Sequence, residues 1–161
     1  MSSPLILLTF IFGFIQLDKN PLLKQIVDNK GKFKVEMPDR VEFTITPEQL
    51  AGFEFSERAI SITDFTKRIN AMINTMYVKE LKSKIITEWL VEVGILTNII
   101  VNNNARKRPT STGENLGIIT EERTNQYGIP YEGVFYNLNA QHFIIDNINT
   151  VIEWNRQRVA K

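Results

Sequence analysis

Two amphipathic runs between residues 61 and 96 repeat at the three- and four-residue steps of a helix, and the rest of the chain has to fold around them. Ser61 followed by Asp64 is a capping-box signature that starts the first run. Behind it Ile62, Phe65, Ile69, Met72, Ile73 and Met76 fall on one helical face. After a short break, Leu81, Ile85, Ile86, Trp89, Leu90 and Val93 make a second stripe, which Gly94 ends. Trp89 stands mid-stripe and reads as a core anchor. The opposite stripe holds Ser83, Lys84, Thr87, Glu88 and Val91. A short helix presenting small polar residues outward is what a helix-turn-helix inserts into a major groove. The plainer use of the same pattern is an αα-hairpin that packs a core.

At 161 residues, with 43% apolar and 23% charged side chains, the chain has the size and composition of one soluble domain with a small appendage. There is no cysteine, which excludes disulfides and thiolate zinc sites, and His142 is the only histidine. The net charge of +1 hides an uneven distribution. Residues 1–60 carry 7 basic and 8 acidic groups, residues 61–109 carry 8 and 4, and residues 110–161 carry 4 and 6. Positive charge is concentrated on the helix pair and the segment after it, a modest electrostatic footprint.

Residues 4–15, PLILLTFIFGFI, are nearly all apolar. As a helix they would span about 18 Å, short of the roughly 30 Å of a bilayer core, so no membrane span is expected. Neither the basic residues nor the small-residue cleavage site of a signal peptide flanks them. They read as a strand or helix buried in the core or at a dimer contact. Asn20-Pro21 starts a helix with Leu22, Leu23, Ile26 and Val27 inward, and Gly31 stops it. Residues 33–37 and 41–45 alternate cleanly and predict a hairpin over Pro38-Asp39-Arg40, with Val35 opposite Phe43. Thr46-Pro47-Glu48-Gln49 caps a short helix.

Beyond the helix pair, Ile95–Val101 is a β-rich run closed by Asn102-Asn103-Asn104, and Ala105-Arg106-Lys107-Arg108-Pro109 reads as a basic solvated loop. Thr110 to Asn115 makes one helical turn closed by Gly117. Ile118–Arg123 and Tyr131–Tyr136 are strands around a loop containing Gly128 and Pro130. One long helix from Asn139 to Arg158, with Ala140, Ile144, Ile148, Val151 and Ile152 inward, ends the chain.

Asn70, Glu88-Trp89-Leu90, Gly94, Leu96, Pro109-Thr110, Gly117-Ile118 and the late Gly128 stand in an order that resembles the KilA-C type C-terminal domain of phage antirepressors. The resemblance covers roughly residues 61–145. It departs at Asn139-Ala140-Gln141-His142, and the wing is less basic than the family's. It implies an α+β fold: a winged helix-turn-helix core over 56–161, with residues 1–55 as an extension bearing the β-hairpin, and a long C-terminal helix. It also implies a mobile-element protein that handles DNA or a DNA-bound partner.

Little in the chain suggests chemistry. Glu121 and Glu122 are adjacent, so on a strand they face opposite ways and cannot form an acid/base pair. No phosphate-cradling glycine loop is present. Tyr127, Tyr131, Phe135 and Tyr136 cluster near the wing and could stack on bases, although aromatics on a sheet are more often core. The expectation is a cytoplasmic, non-enzymatic protein without cofactor or metal. Two readings of function remain open. In the first it is a regulator of antirepressor type that binds double-stranded DNA through Lys79, Ser83, Lys84, Thr87, Arg106, Lys107 and Arg108. In the second the same scaffold binds a host protein, for instance as an inhibitor of a host nucleoprotein. Apolar surface at residues 4–15 and on the last helix suggests a homodimer.

Overall fold

The computed structural model of the chain describes residues 24–27, 33–36 and 38–161. The chain divides after Arg40 into two compact units. The first contains two antiparallel strands, β1 (Lys24–Val27) and β2 (Phe33–Glu36), in a register running from Lys24 opposite Glu36 to Val27 opposite Phe33. Two expectations are corrected here. Lys24–Val27 is a strand and not the body of a helix. Ile26 and Val27 are β-branched, and so short a run carries too little periodicity to oppose that preference. Nor does the strand beginning at Phe33 pair with residues 41–45, because those residues are committed to the second unit. There Val41 N–H donates to the Tyr77 carbonyl at 2.8 Å and its carbonyl accepts from Lys79 N–H at 2.9 Å, while Phe43 and Ile45 are buried. The apolar segment 4–15, the Asn20-Pro21 start and the Gly31 stop lie outside the described residues.

The second unit, Val41–Lys161, mixes helices with small antiparallel sheets in an α+β arrangement. It includes residues 41–55, which the sequence reading assigned to the extension. Its first helix, α1 (Pro47–Ala51), carries the expected capping box: the Thr46 hydroxyl accepts from Gln49 N–H and the Gln49 side chain from Thr46 N–H. Next come β3 (Ile60–Ser61) and α2 (Ile62–Asn70), capped by Ser61. The Asp64 carboxylate accepts from the Ser61 hydroxyl at 2.9 Å, and Ser61 stands opposite Phe135 in the strand ladder. Helix α3 (Ser83–Glu92) follows only after residues 71–82, a longer link than the three or four residues of a tight helix-turn-helix. Asn70 closes that link from both sides: its amide donates to the Leu81 carbonyl at 2.9 Å and accepts from Leu81 N–H at 2.8 Å. Met76 lies in the link and Val93 at the non-helical end of α3, so both are exposed where their stripes predicted burial.

Strands β4 (Leu96–Val101) and β5 (Asn104–Pro109) form a two-stranded ribbon of their own. After α4 (Ser111–Leu116), strands β6 (Ile118–Thr124) and β7 (Pro130–Tyr136) pair as a hairpin, with β3 on the other side of β7. The wing expected over residues 99–136 is therefore two hairpins in two sheets. The single C-terminal helix is also corrected, to α5 (Leu138–Asp146) and α6 (Ile148–Val159). Asn147 breaks it: its side chain donates to the Phe143 carbonyl at 2.8 Å, the local competition for backbone that makes asparagine a poor helix-interior residue. All five inward residues predicted for this region are buried. They join Phe65, Ile69, Ile86, Trp89, Leu90, Ile118 and Tyr136 in one core. Ile148, Val151 and Ile152 of α6 are thus buried within the unit, while Val159 at its end is 74% exposed.

Candidate functional site

The ribbon stands on a base locked to the end of α3. Gly94 takes φ +80, which turns the chain out of the helix. Ile95 N–H then bonds back to the Leu90 carbonyl at 2.8 Å. On the returning strand Thr110 closes the base: its N–H donates to the Ile95 carbonyl at 3.0 Å and its hydroxyl to the Gly94 carbonyl at 2.8 Å. The same hydroxyl oxygen caps α4 by accepting from Gly113 N–H at 3.2 Å. Gly113 packs so tightly that a Cβ there would sit 2.2 Å from the Ile95 carbonyl oxygen. At the far end Asn102 and Asn103 have φ of 50 and 65, the paired left-handed residues of a two-residue type I′ turn. That turn sets Val101 opposite Asn104 and makes Ala105–Pro109 a strand, not the solvated loop read from its charge.

Seven side chains were expected at a nucleic-acid surface, and the structure divides them. Arg106 pairs across the ribbon with Ile99 and Lys107 with Asn98, so the two cations project from opposite faces. Neither takes part in an ion pair among the described residues. Arg108 is bound instead to Glu132 of β7, and Lys79 to Glu42. On α3, Lys84 is exposed and lies 3.8 Å from Glu88, Ser83 is half-buried in the first turn, and the Thr87 hydroxyl folds back onto the Lys84 carbonyl at 3.1 Å. The outward stripe is also flanked by α6. Arg158 reaches within 3.1 Å of the Glu88 carboxylate, and Val91 packs against the core. The structure thus leaves Arg106 and Lys107 without an ion pair among the described residues, sets Arg108 and Lys79 against Glu132 and Glu42, and holds the exposed Lys84 only in a long i,i+4 pair with Glu88.

A second exposed feature lies at the β6–β7 loop. The Asn125 side-chain oxygen accepts from Tyr127 N–H at 2.9 Å and Ile129 N–H at 3.0 Å, while its N–H donates to the Ile129 carbonyl at 3.0 Å. The loop so fixed presents Tyr127 at 77% exposure and Ile129 at 57%. The aromatic cluster read from the sequence is therefore two populations. Phe135 and Tyr136 are core, and burial pushes the Tyr136 phenol well above its ordinary pKa. Tyr127 and Tyr131 are surface. Asparagine two residues before a tyrosine and three before a glycine was a usable turn signal, but nothing in the spacing said which aromatics it would expose. Glu121 and Glu122 separate as expected: Glu121 pairs with Arg123, whose guanidinium covers the Phe135 ring at 3.4 Å from its centroid.

No family model matches the chain, and no curated protein or solved structure matches it significantly. Among the described residues no helix is long and apolar enough to cross a membrane, and no three acidic or histidine side chains gather as a metal would need.

Proposed function

We propose that the Val41–Lys161 unit is a non-catalytic module that docks on duplex DNA through the β4–β5 ribbon, with Lys84 on α3 as a second contact. The observation that carries this is the placement of Arg106 and Lys107 on opposite faces of a two-stranded ribbon, without an acidic partner among the described residues. A two-stranded ribbon fits a major groove, where the cation on the inner face enters the groove and the long side chain on the outer face can reach round the edge to a phosphate. The order α2, α3, hairpin supports a winged-helix reading in which β4–β5 is the wing. The regulatory role implied by the antirepressor resemblance belongs to the same proposal. The unit as a whole has 13 basic and 14 acidic residues, so affinity must come from this local placement and not from a net field.

Titration of random and selected duplexes at several salt concentrations tests the proposal. Each phosphate contact contributes close to one unit to the slope of log K against log salt. The double variant Arg106→Ala, Lys107→Ala should therefore weaken binding to all sequences alike and flatten that slope by roughly two units. Lys84→Ala should instead reduce preference for a selected site, by about 1–3 kcal/mol for a bidentate base contact. If the wild type binds neither duplex below roughly 100 µM, the weak end of ordinary non-specific affinity, the DNA reading fails.

One observation favours a protein partner. Tyr127 stands on a loop already fixed by Asn125, and rigid exposed aromatics are characteristic interface anchors. On this reading Tyr127→Ala should abolish a nuclease-resistant association in a pull-down from cell lysate and leave duplex titrations unchanged. Retention of that association by the variant would remove the loop from consideration.

A further inference from the structure

Sheet edges are places where a strand can recruit another, and folded proteins usually guard them with charge or proline. The ribbon guards one edge and not the other. β5 carries Arg106, Lys107, Arg108 and Pro109, and it is the strand that packs toward β6 and β7. β4 has no ionisable side chain from Leu96 to Val101 and contains the β-branched run Ile99-Ile100-Val101. Ile100 is 71% exposed. In a hairpin with a two-residue turn the flanking pair is hydrogen-bonded, so Val101, Ile99 and Thr97 turn their backbone groups toward β5. Asn98 and Ile100 then turn N–H and C=O outward. Pro109 fits this phase, since it stands opposite Leu96 where no N–H is required of it.

We infer that this edge pairs with the same edge of a second copy, β4 against β4 antiparallel, to give a four-stranded sheet across a two-fold axis. An edge without charge is complementary to itself across a two-fold axis, since pairing sets no like charges together and both copies offer outward N–H and C=O groups in the same phase. Among the described strands only β4 qualifies: β1 and β2 carry Lys24, Lys34 and Glu36, β6 carries Glu121, Glu122 and Arg123, and β3 is Ile60–Ser61 alone. Joining the outward groups of Asn98 to those of Ile100 in the partner, and the reverse, centres the axis on Ile99. Ile99 then faces its own copy in a non-hydrogen-bonded pair, with Cα atoms about 4.5 Å apart. The β5 strands fall on the outside, about 14 Å from each other, so Arg106 and Lys107 of the two copies do not oppose one another. The pairing needs no nucleic acid and is tested without it; because it doubles the width of the ribbon, the form that enters a groove under the DNA reading is the unpaired one.

Absence of cysteine makes the test direct, because an introduced thiol is the only one in the chain. Ile99→Cys should form a disulfide-linked dimer on mild oxidation, its pair distance lying within disulfide reach. Ala105→Cys, on the outer strand, should not. Sedimentation of the wild type without DNA at tens of micromolar should show a dimer, and Ile100→Lys should convert it to monomer with an unchanged circular dichroism spectrum. Should Ile100→Lys disturb folding, Asn98→Lys places the same charge at the other outward position. A wild-type monomer, or equal cross-linking at positions 99 and 105, overturns the inference.

Discussion

Truncation of Trp89 to alanine will lower the unfolding free energy by about 3–5 kcal/mol, the range for removal of a large buried aromatic. Trp89 is 4% exposed, between buried Ile86 and Leu90, and meets the Phe143 ring edge-to-face at a centroid distance of 5.9 Å. The indole thereby joins α3 to α5, and α3 has no other aromatic to fill the space. For a unit of this size the loss should lower the melting temperature by roughly 10–20 °C in a thermal scan. A shift of only a degree or two would mean that α3 presents its other side to the core. That outcome would also undo the functional argument, because Lys84 is exposed only while Trp89 faces inward.

Elements with a strong local cause were legible in the sequence. Capping residues Thr46, Ser61 and Thr110 start α1, α2 and α4 as expected, and Gly94 and Gly117 end α3 and α4 with positive φ. The β6–β7 hairpin matches the two strands expected around the Gly128-containing loop to within one residue each. What failed was decided at long range. Phe43 and Ile45 alternate as a strand should, yet they are buried without a strand partner among the described residues, and Val41 before them bonds to the Tyr77–Lys79 backbone, far along the chain. Asn147 was hidden in an apolar period that continues through it.

The candidate site was less legible for a related reason. The residues that carry the family resemblance hold the scaffold: Asn70 clamps Leu81, Trp89 and Leu90 fill the core, and Thr110 ties the ribbon base to α3. None of them is an exposed cation. Whether a cation is available depends instead on its ionic partners, and Arg108 differs from Arg106 only in meeting Glu132 across a tertiary contact. Sequence spacing carries no record of that pairing.

Replacement of Gln141 by methionine, close to it in volume, should cost about 3 kcal/mol although the side chain touches no candidate ligand site. Gln141 on α5 is fully buried. Its oxygen accepts from Ser56 N–H at 2.9 Å, and its amide nitrogen donates to the Ser56 and Tyr136 carbonyls, each at 3.0 Å. The neighbouring His142 stacks on Phe55 at 3.8 Å, so two successive residues of α5 hold the segment that enters β3. Methionine removes the side-chain partner of three backbone groups, at about 1–3 kcal/mol for each that neither water nor another donor or acceptor serves. Ser56 is only half-buried and can recruit water, which keeps the total near the cost of the Tyr136 carbonyl and part of the rest. Gln141→Glu separates hydrogen bonding from packing. An ionised carboxylate at this position faces two carbonyl oxygens in a dry site, which raises its folded-state pKa above the ordinary glutamate value of about 4.3. The penalty is therefore present at neutral pH and relieved as pH falls toward the folded-state pKa, where a protonated carboxyl can again donate to one carbonyl. Denaturant unfolding across pH 4–7 should show the Gln141→Glu variant gaining stability relative to wild type on acidification, and the Gln141→Met variant showing no such trend. Parallel pH profiles for the two variants would indicate that water already serves these carbonyls and that the glutamine acts through its volume alone.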